Sequence, residues 1–171
     1  MYFNDQRKFG WVKLVPSPDV MADTLVAKLG PEVDTSEFSV DYLQTQLTRR
    51  KKSPVKAVIL DQTVLSGIGN IYADESLHLA KIHPERRAGT LLPVETKRLH
   101  AAVKTIMAAG ITHGGTSFSR YVNALGGTGD YLDQARVFRR QGLTCGVCGS
   151  VIIKTRVSGR GTHLCPKSQL L

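Results

Sequence analysis

The sequence predicts a mainly α protein with a small β appendage: a four-helix domain followed by a zinc-ribbon-like β-hairpin. Three observations point there. Four segments between positions 39 and 109 carry apolar residues at helical spacing. Cysteines stand at 145, 148 and 165, on either side of one hairpin pattern. The opening fifteen residues read as two strands, Tyr2-Phe3 and then Phe9, Trp11, Val12, Leu14 and Val15, parted by Asn4-Asp5-Gln6. A chain that opens in mid-sheet is expected to be the later part of something larger. The organisation that follows is a β-domain remnant and linker over 1–30, a helical domain with a loop over 31–134, and a cysteine hairpin over 135–171.

Composition narrows the partner. With 171 residues and 42% hydrophobic content, the chain is long enough for a real core. Lys and Arg outnumber Asp and Glu by 23 to 14, a net charge of +9 that favours a polyanion, most often nucleic acid. No apolar run reaches the roughly 18–20 residues of a membrane span, and Met1-Tyr2-Phe3-Asn4 begins nothing like a secretory signal. Three clustered cysteines suit a reducing compartment and a metal clip. A cytoplasmic, nucleoid-associated monomer is the expectation.

The helices follow in order. Pro16 to Pro31 is a connector, closed by Leu29-Gly30-Pro31. Ser39 is an N-cap, with Phe38 and Leu43 at the positions of a hydrophobic staple and Val40, Leu43 and Leu47 marking the buried face. Arg49-Arg50-Lys51-Lys52 ends this helix, either as a solvated cap on its negative pole or as a phosphate patch. Ser53-Pro54 restarts the chain as N-cap and first helical residue, ahead of Val55, Val58, Ile59 and Leu60. A long helix runs from about Val94 to Ala109 and stops at Gly110. The glycine-rich stretch from His113 to Asp133 reads as a long functional loop.

Between the second and last helices lies Leu65-Ser66-Gly67-Ile68-Gly69-Asn70-Ile71-Tyr72-Ala73-Asp74-Glu75. Two glycines bracket Ile68, and Asn70, a favoured N-cap, opens a helical pattern. Such a helix start carries free N–H groups and partial positive charge, which suits a phosphate. A packing joint with glycines for tight turns is the plainer alternative.

In the tail, Cys145-Gly146-Val147-Cys148 is followed after sixteen residues by Cys165-Pro166-Lys167-Ser168. Val151 to Val157 reads as a strand, Ser158-Gly159-Arg160-Gly161 as a turn, and Thr162-His163-Leu164 as the return. Thiolates flanking a hairpin hold Zn²⁺ tetrahedrally, and zinc supplies folding energy so small a hairpin lacks. Ser168 stands where a fourth cysteine belongs, and a neutral hydroxyl is a poor ligand. The expected set is Cys145, Cys148 and Cys165 with a fourth donor unassigned, against a metal-free hairpin with inert thiols.

Taken together, Asp5-x-Arg7-x-Phe9-Gly10, the Gly67–Glu75 stretch, Ile82-His83-Pro84, the Arg160 turn and the cysteine spacing resemble the C-terminal portion of bacterial formamidopyrimidine-DNA glycosylases, the Fpg/Nei family. The likeness runs over essentially the whole chain. It implies a helix–two-turns–helix element and a zinc-finger hairpin that grip duplex DNA around an oxidised base or abasic site. By the same resemblance Asn70 meets a phosphate beside the lesion, and Arg160 clamps phosphates from the hairpin tip. Arg7 faces the orphaned base, Phe9 wedges the stack, and Lys56 lies near the lesion. The Gly126–Gln134 loop corresponds to the segment that closes over the flipped base.

The family's nucleophile is an N-terminal proline amine followed by a general-acid glutamate on a β-sandwich domain, and this chain starts Met1-Tyr2-Phe3. No catalytic residue is therefore assigned, and the chain alone is expected to bind DNA without excising a base. The function implied is the damaged-DNA-binding part of a bifunctional DNA N-glycosylase/AP lyase of base excision repair acting on oxidised purines. A stand-alone, non-catalytic binder of the same fold is the alternative, and a ribosomal protein with a similar helical element is a third.

Overall fold

The computed structural model describes residues 12–116 and 128–171. The expected strands over 1–11, with Arg7 and Phe9, and residues 126–127 of the loop lie outside the described residues. Residues 12–15 are not in a strand, and Val12 and Leu14 are exposed, so the expected strand does not continue to Val15.

Four helices build the first unit: α1 (Val40–Arg49), α2 (Val55–Ile59), α3 (Asn70–Leu79) and α4 (Pro93–Thr112). Local chemistry sets their ends. Ser39 Oγ accepts the Tyr42 amide at 3.1 Å and caps α1, while Phe38 and Leu43 are both buried against the core. Pro54, not Ser53, occupies the N-cap of α2, because Ser53 and Val55 on either side are tied by backbone hydrogen bonds to Ala88 and Arg86. Glu95 turns back onto the Leu92 amide at 2.8 Å to cap α4, and Arg86 grips the same carboxylate at 2.5 and 2.6 Å.

Helix α4 does not stop at Gly110. A Cβ there would lie 2.7 Å from the Tyr72 ring, so the glycine marks a close approach between helices rather than an end. The stop comes three residues later. Gly114 and Gly115 take positive φ of 64° and 84°, and their amides return to Ile111 and Gly110 in a Schellman motif.

Leu43, Leu47, Val55, Ile59, Leu65, Ile68, Leu77, Leu99 and Val103 form one core among these helices. The second unit is an antiparallel hairpin, β1 (Ile153–Val157) with β2 (Arg160–Leu164), in the register Val157 to Arg160 and Ile153 to Leu164. Ser158 and Gly159, at φ of 47° and 78°, make its two-residue turn of the type that suits a right-twisted ribbon. Its own core is small: Val137, Cys145, Ile152 and Cys165, with Cys148 alongside.

Helix α3 joins the two units. Glu75 is buried, and its carboxylate accepts the amides of Arg136, Val137 and Phe138 at 2.8–2.9 Å, fixing the chain that enters the hairpin. Gln169 fixes the exit: its Oε1 accepts the Cys165 amide at 2.9 Å and its Nε2 donates to the Ile82 carbonyl at 3.0 Å. No described helix is long and apolar enough to cross a membrane.

Candidate nucleic-acid interface

The glycine turn before α3 is held from within. Gln62 Oε1 accepts the Gly67 amide at 2.9 Å and Gln62 Nε2 donates to the Ile68 carbonyl at 3.0 Å. Gly67 has φ of 81°, a backbone state open to glycine at little cost. The turn delivers Asn70 to the start of α3, one residue inside the expected position. Gly69 is the N-cap, and the Asn70 side chain makes no capping bond. Its Nδ2 instead donates to the Gly161 carbonyl of the hairpin at 2.9 Å. The helix start and the hairpin tip are therefore in direct contact, with Arg160 immediately before Gly161. Arg160 is exposed, and no ion pair engages it among the described residues.

Lys56 requires a correction. Placed on α2 and expected near the lesion, it has no exposed side-chain surface at all. Its Nζ lies 2.6 Å from Asp74 Oδ1 and donates to Thr162 Oγ1 at 2.7 Å and to the Gly161 carbonyl at 3.1 Å. Burial pulls the Lys56 ammonium below its ordinary range, the Asp74 carboxylate pulls it back up, and nearby Arg160 lowers it again. An ammonium enclosed this way offers no hydrogen to a phosphate. It ties α2 and α3 to the strand that carries Arg160.

Asp74, Thr162 and His163 complete this latch, and sequence reading gave none of them a role. Asp74 Oδ2 accepts the His163 amide at 2.9 Å, and the His163 ring packs edge-on to Phe138. The available signal was Asp74-Glu75 lying between Ala73 and Leu77 on α3, a pair of carboxylates set in a buried run. Buried charges need partners, so two such acids imply a second surface docked on that helix.

At the far end of α3 lies the cysteine cluster. The sulfurs of Cys145, Cys148 and Cys165 all lie within 4.8 Å of one another, a group able to hold a metal ion. Ser150 Oγ is 3.0 Å from both Cys148 Sγ and Cys165 Sγ, and the Ser168 amide donates to Cys165 Sγ at 3.4 Å. Burial pushes the Cys165 thiol up, but the hydrogen bonds from Ser150, Ser168 and Cys148 outweigh it and bring it to about 6. His78 Nε2 sits 3.5 Å from Cys145 Sγ, with burial holding that imidazole down at about 4 and hence neutral.

The chain is similar to known proteins in sequence and in fold. Residues 29–122 match the formamidopyrimidine-DNA glycosylase H2TH domain, and residues 142–167 match a zinc finger found in FPG and IleRS. The formamidopyrimidine-DNA glycosylase of Desulforamulus reducens is 42% identical over 98% of the chain, and that of Symbiobacterium thermophilum 44% over 98%. The chain covers 60% and 54% of those relatives, less than two thirds of their length. Among solved structures, Lactococcus lactis Fpg in complex with DNA containing an abasic site is 38% identical, with a TM-score of 0.89 over 98% of this chain and 61% of that one. MutM (Fpg) of Thermus thermophilus is 36% identical, with a TM-score of 0.82 over 88% of this chain and 57% of that one. The helical profile spans more than half of the sequence, and the same helices and hairpin recur in these solved proteins: the chain belongs to the formamidopyrimidine-DNA glycosylase (Fpg/Nei) family.

Proposed function

We propose that this chain is the damaged-duplex-binding part of a bifunctional DNA N-glycosylase/AP lyase of base excision repair that acts on oxidised purines. One observation carries the reading: the Asn70 amide meets Gly161 at 2.9 Å, so the helix start and the Arg160 tip share one face. A single bent backbone can then touch both. Arg160 supplies a planar fork of donors for phosphate oxygens, and Asn70 lies at the positive pole of α3. Double-stranded DNA with an oxidised base or an abasic site is the partner, and the excess positive charge adds long-range attraction. That a close relative was solved with abasic DNA supports the same choice of ligand.

Neither Asn70 nor Arg160 is a nucleophile, so these residues are read as binding groups. The test is fluorescence anisotropy of the full chain on a duplex with an abasic analogue, against the intact duplex, over a range of salt. Tighter binding to the abasic duplex, weakening steeply with salt, is expected. Equal affinity for both duplexes would sink the lesion-binding assignment. Borohydride trapping on an abasic duplex should give no covalent product, and a trapped adduct would show that this chain supplies a reactive amine.

The cysteine cluster is read as a structural zinc site. Three soft thiol donors in mutual reach suit Zn²⁺, and the hairpin's own core of Val137 and Ile152 is too small to fold it unaided. Zinc held there fixes the hairpin fold and takes no part in chemistry on DNA.

A further inference from the structure

A tetrahedral metal takes four donors and the cluster shows three sulfurs. The remaining corner falls to Cys165-Pro166-Lys167-Ser168, which repeats the spacing of Cys145-Gly146-Val147-Cys148. Two observations single out Ser168. Its backbone N–H donates to Cys165 Sγ at 3.4 Å, so the chain folds back over that sulfur and keeps the side chain beside the cluster. Its Oγ is buried without a well-formed hydrogen bond, and the group it does reach is the Cys165 sulfur. A buried hydroxyl without a good partner is costly, so its place next to three metal-capable thiols calls for one.

We infer that Ser168 Oγ is the fourth ligand, completing a Cys₃Ser donor set; this rests on the zinc reading above. The neighbours fit less well. Ser150 Oγ is already shared between Cys148 Sγ and Cys165 Sγ, a hydrogen bond that orients both sulfurs. His78 approaches Cys145 Sγ but does not belong to the group of donors within 4.8 Å of one another. Loading releases to solvent whatever protons the three sulfurs still hold and leaves the serine hydroxyl neutral. That hydroxyl gives the ion less charge than a thiolate. The Ser168 corner is therefore the weak one, where an incoming thiol or chelator enters first.

The test uses the full chain, with Zn²⁺ affinity measured against a chromophoric chelator and Co²⁺ absorption as a report on the donor set. One metal per chain is expected. Ser168→Cys should tighten binding by about tenfold or more and strengthen the thiolate-to-cobalt charge-transfer bands, as a fourth sulfur enters. Ser168→Ala should weaken binding by about tenfold or more and shift the cobalt d–d bands. His78→Ala and Ser150→Ala should leave the band positions alone, because outer partners tune affinity without changing the donor set. A Ser168→Ala protein with wild-type affinity and spectrum overturns this inference while the zinc reading stands. So does a spectrum that shifts on His78→Ala instead. No metal uptake by the wild-type chain overturns both.

Discussion

The ammonium of Lys56 lies 2.6 Å from the carboxylate of Asp74, and neither side chain is exposed to solvent. Around this pair the two halves of the protein are locked. Lys56 also donates to Gly161 and Thr162, and Asp74 accepts the amide of His163, so three consecutive residues of β2 are held by two side chains of the helical unit. Arg160 is the next residue along the strand. Its position relative to Asn70 follows from this buried contact more than from the hairpin itself.

Removing one partner should therefore be costly. Lys56→Met leaves the Asp74 carboxylate buried without its counter-charge, and a loss of about 3–5 kcal/mol is expected. The double variant Lys56→Met with Asp74→Leu should recover part of that loss, since the unpaired buried charge is gone while the His163 amide and the Gly161 carbonyl still lose their partners. Chemical denaturation of the three proteins measures it. Equal instability of the single and double variants would show that the ion pair is not the source.

The interface predicts two different losses on DNA. Arg160→Ala should weaken abasic-duplex binding and lower the salt slope by about one, because one phosphate contact is removed. Asn70→Ala removes a neutral amide, so affinity should fall with the slope nearly unchanged. Anisotropy titrations at four or more salt concentrations separate the two. Identical slopes for Arg160→Ala and wild type would take Arg160 off the phosphate backbone.

Gly110→Ala tests the crossing of α3 and α4. The new Cβ would press on Tyr72 at 2.7 Å, and Tyr72 itself packs on the ring of Tyr131 at a centroid distance of 5.0 Å. Overpacking of this kind costs about 1–3 kcal/mol, although alanine is the better helix former. A thermal melt that rises on this substitution would show that Tyr72 has room to withdraw.

Glu95 gives an acid limb to stability. Hydrogen bonds from Arg86 hold its carboxyl below the ordinary glutamate range, ahead of the opposing effect of burial. A carboxyl depressed on folding stabilises the native state fully above its unfolded value, about 4.3. The contribution is lost as pH falls through the lower native value. Glu95→Gln should then reduce stability by about 1–3 kcal/mol near neutrality, as charge-assisted bonds are lost. The two proteins should converge only once pH has fallen below that native value. Melting temperatures between pH 3 and pH 7 check this, and a gap that stays constant across the range would rule the ion pair out.

The sequence by itself determined the features that depend on near neighbours. Ser39 capping α1, the buried face of Leu43 and Leu47, and a turn within Ser158-Gly159-Arg160-Gly161, whose last two residues prove to belong to β2, follow from contacts a few residues apart, which spacing and residue type reveal. The three-cysteine cluster was legible for a related reason, because ligand chemistry restricts which residues can gather there. Tertiary structure decided the rest. Asn70 is as good an N-cap as Gly69, and what drew its amide away was a carbonyl 91 residues distant. The resemblance places Lys56 near the lesion, and nothing nearby in sequence signals its burial; Asp74 comes from α3, and Gly161 and Thr162 arrive only when the hairpin docks there. Long-range polar contacts leave no periodic trace, so the face that joins Asn70 to Arg160 exists only once the two units are packed.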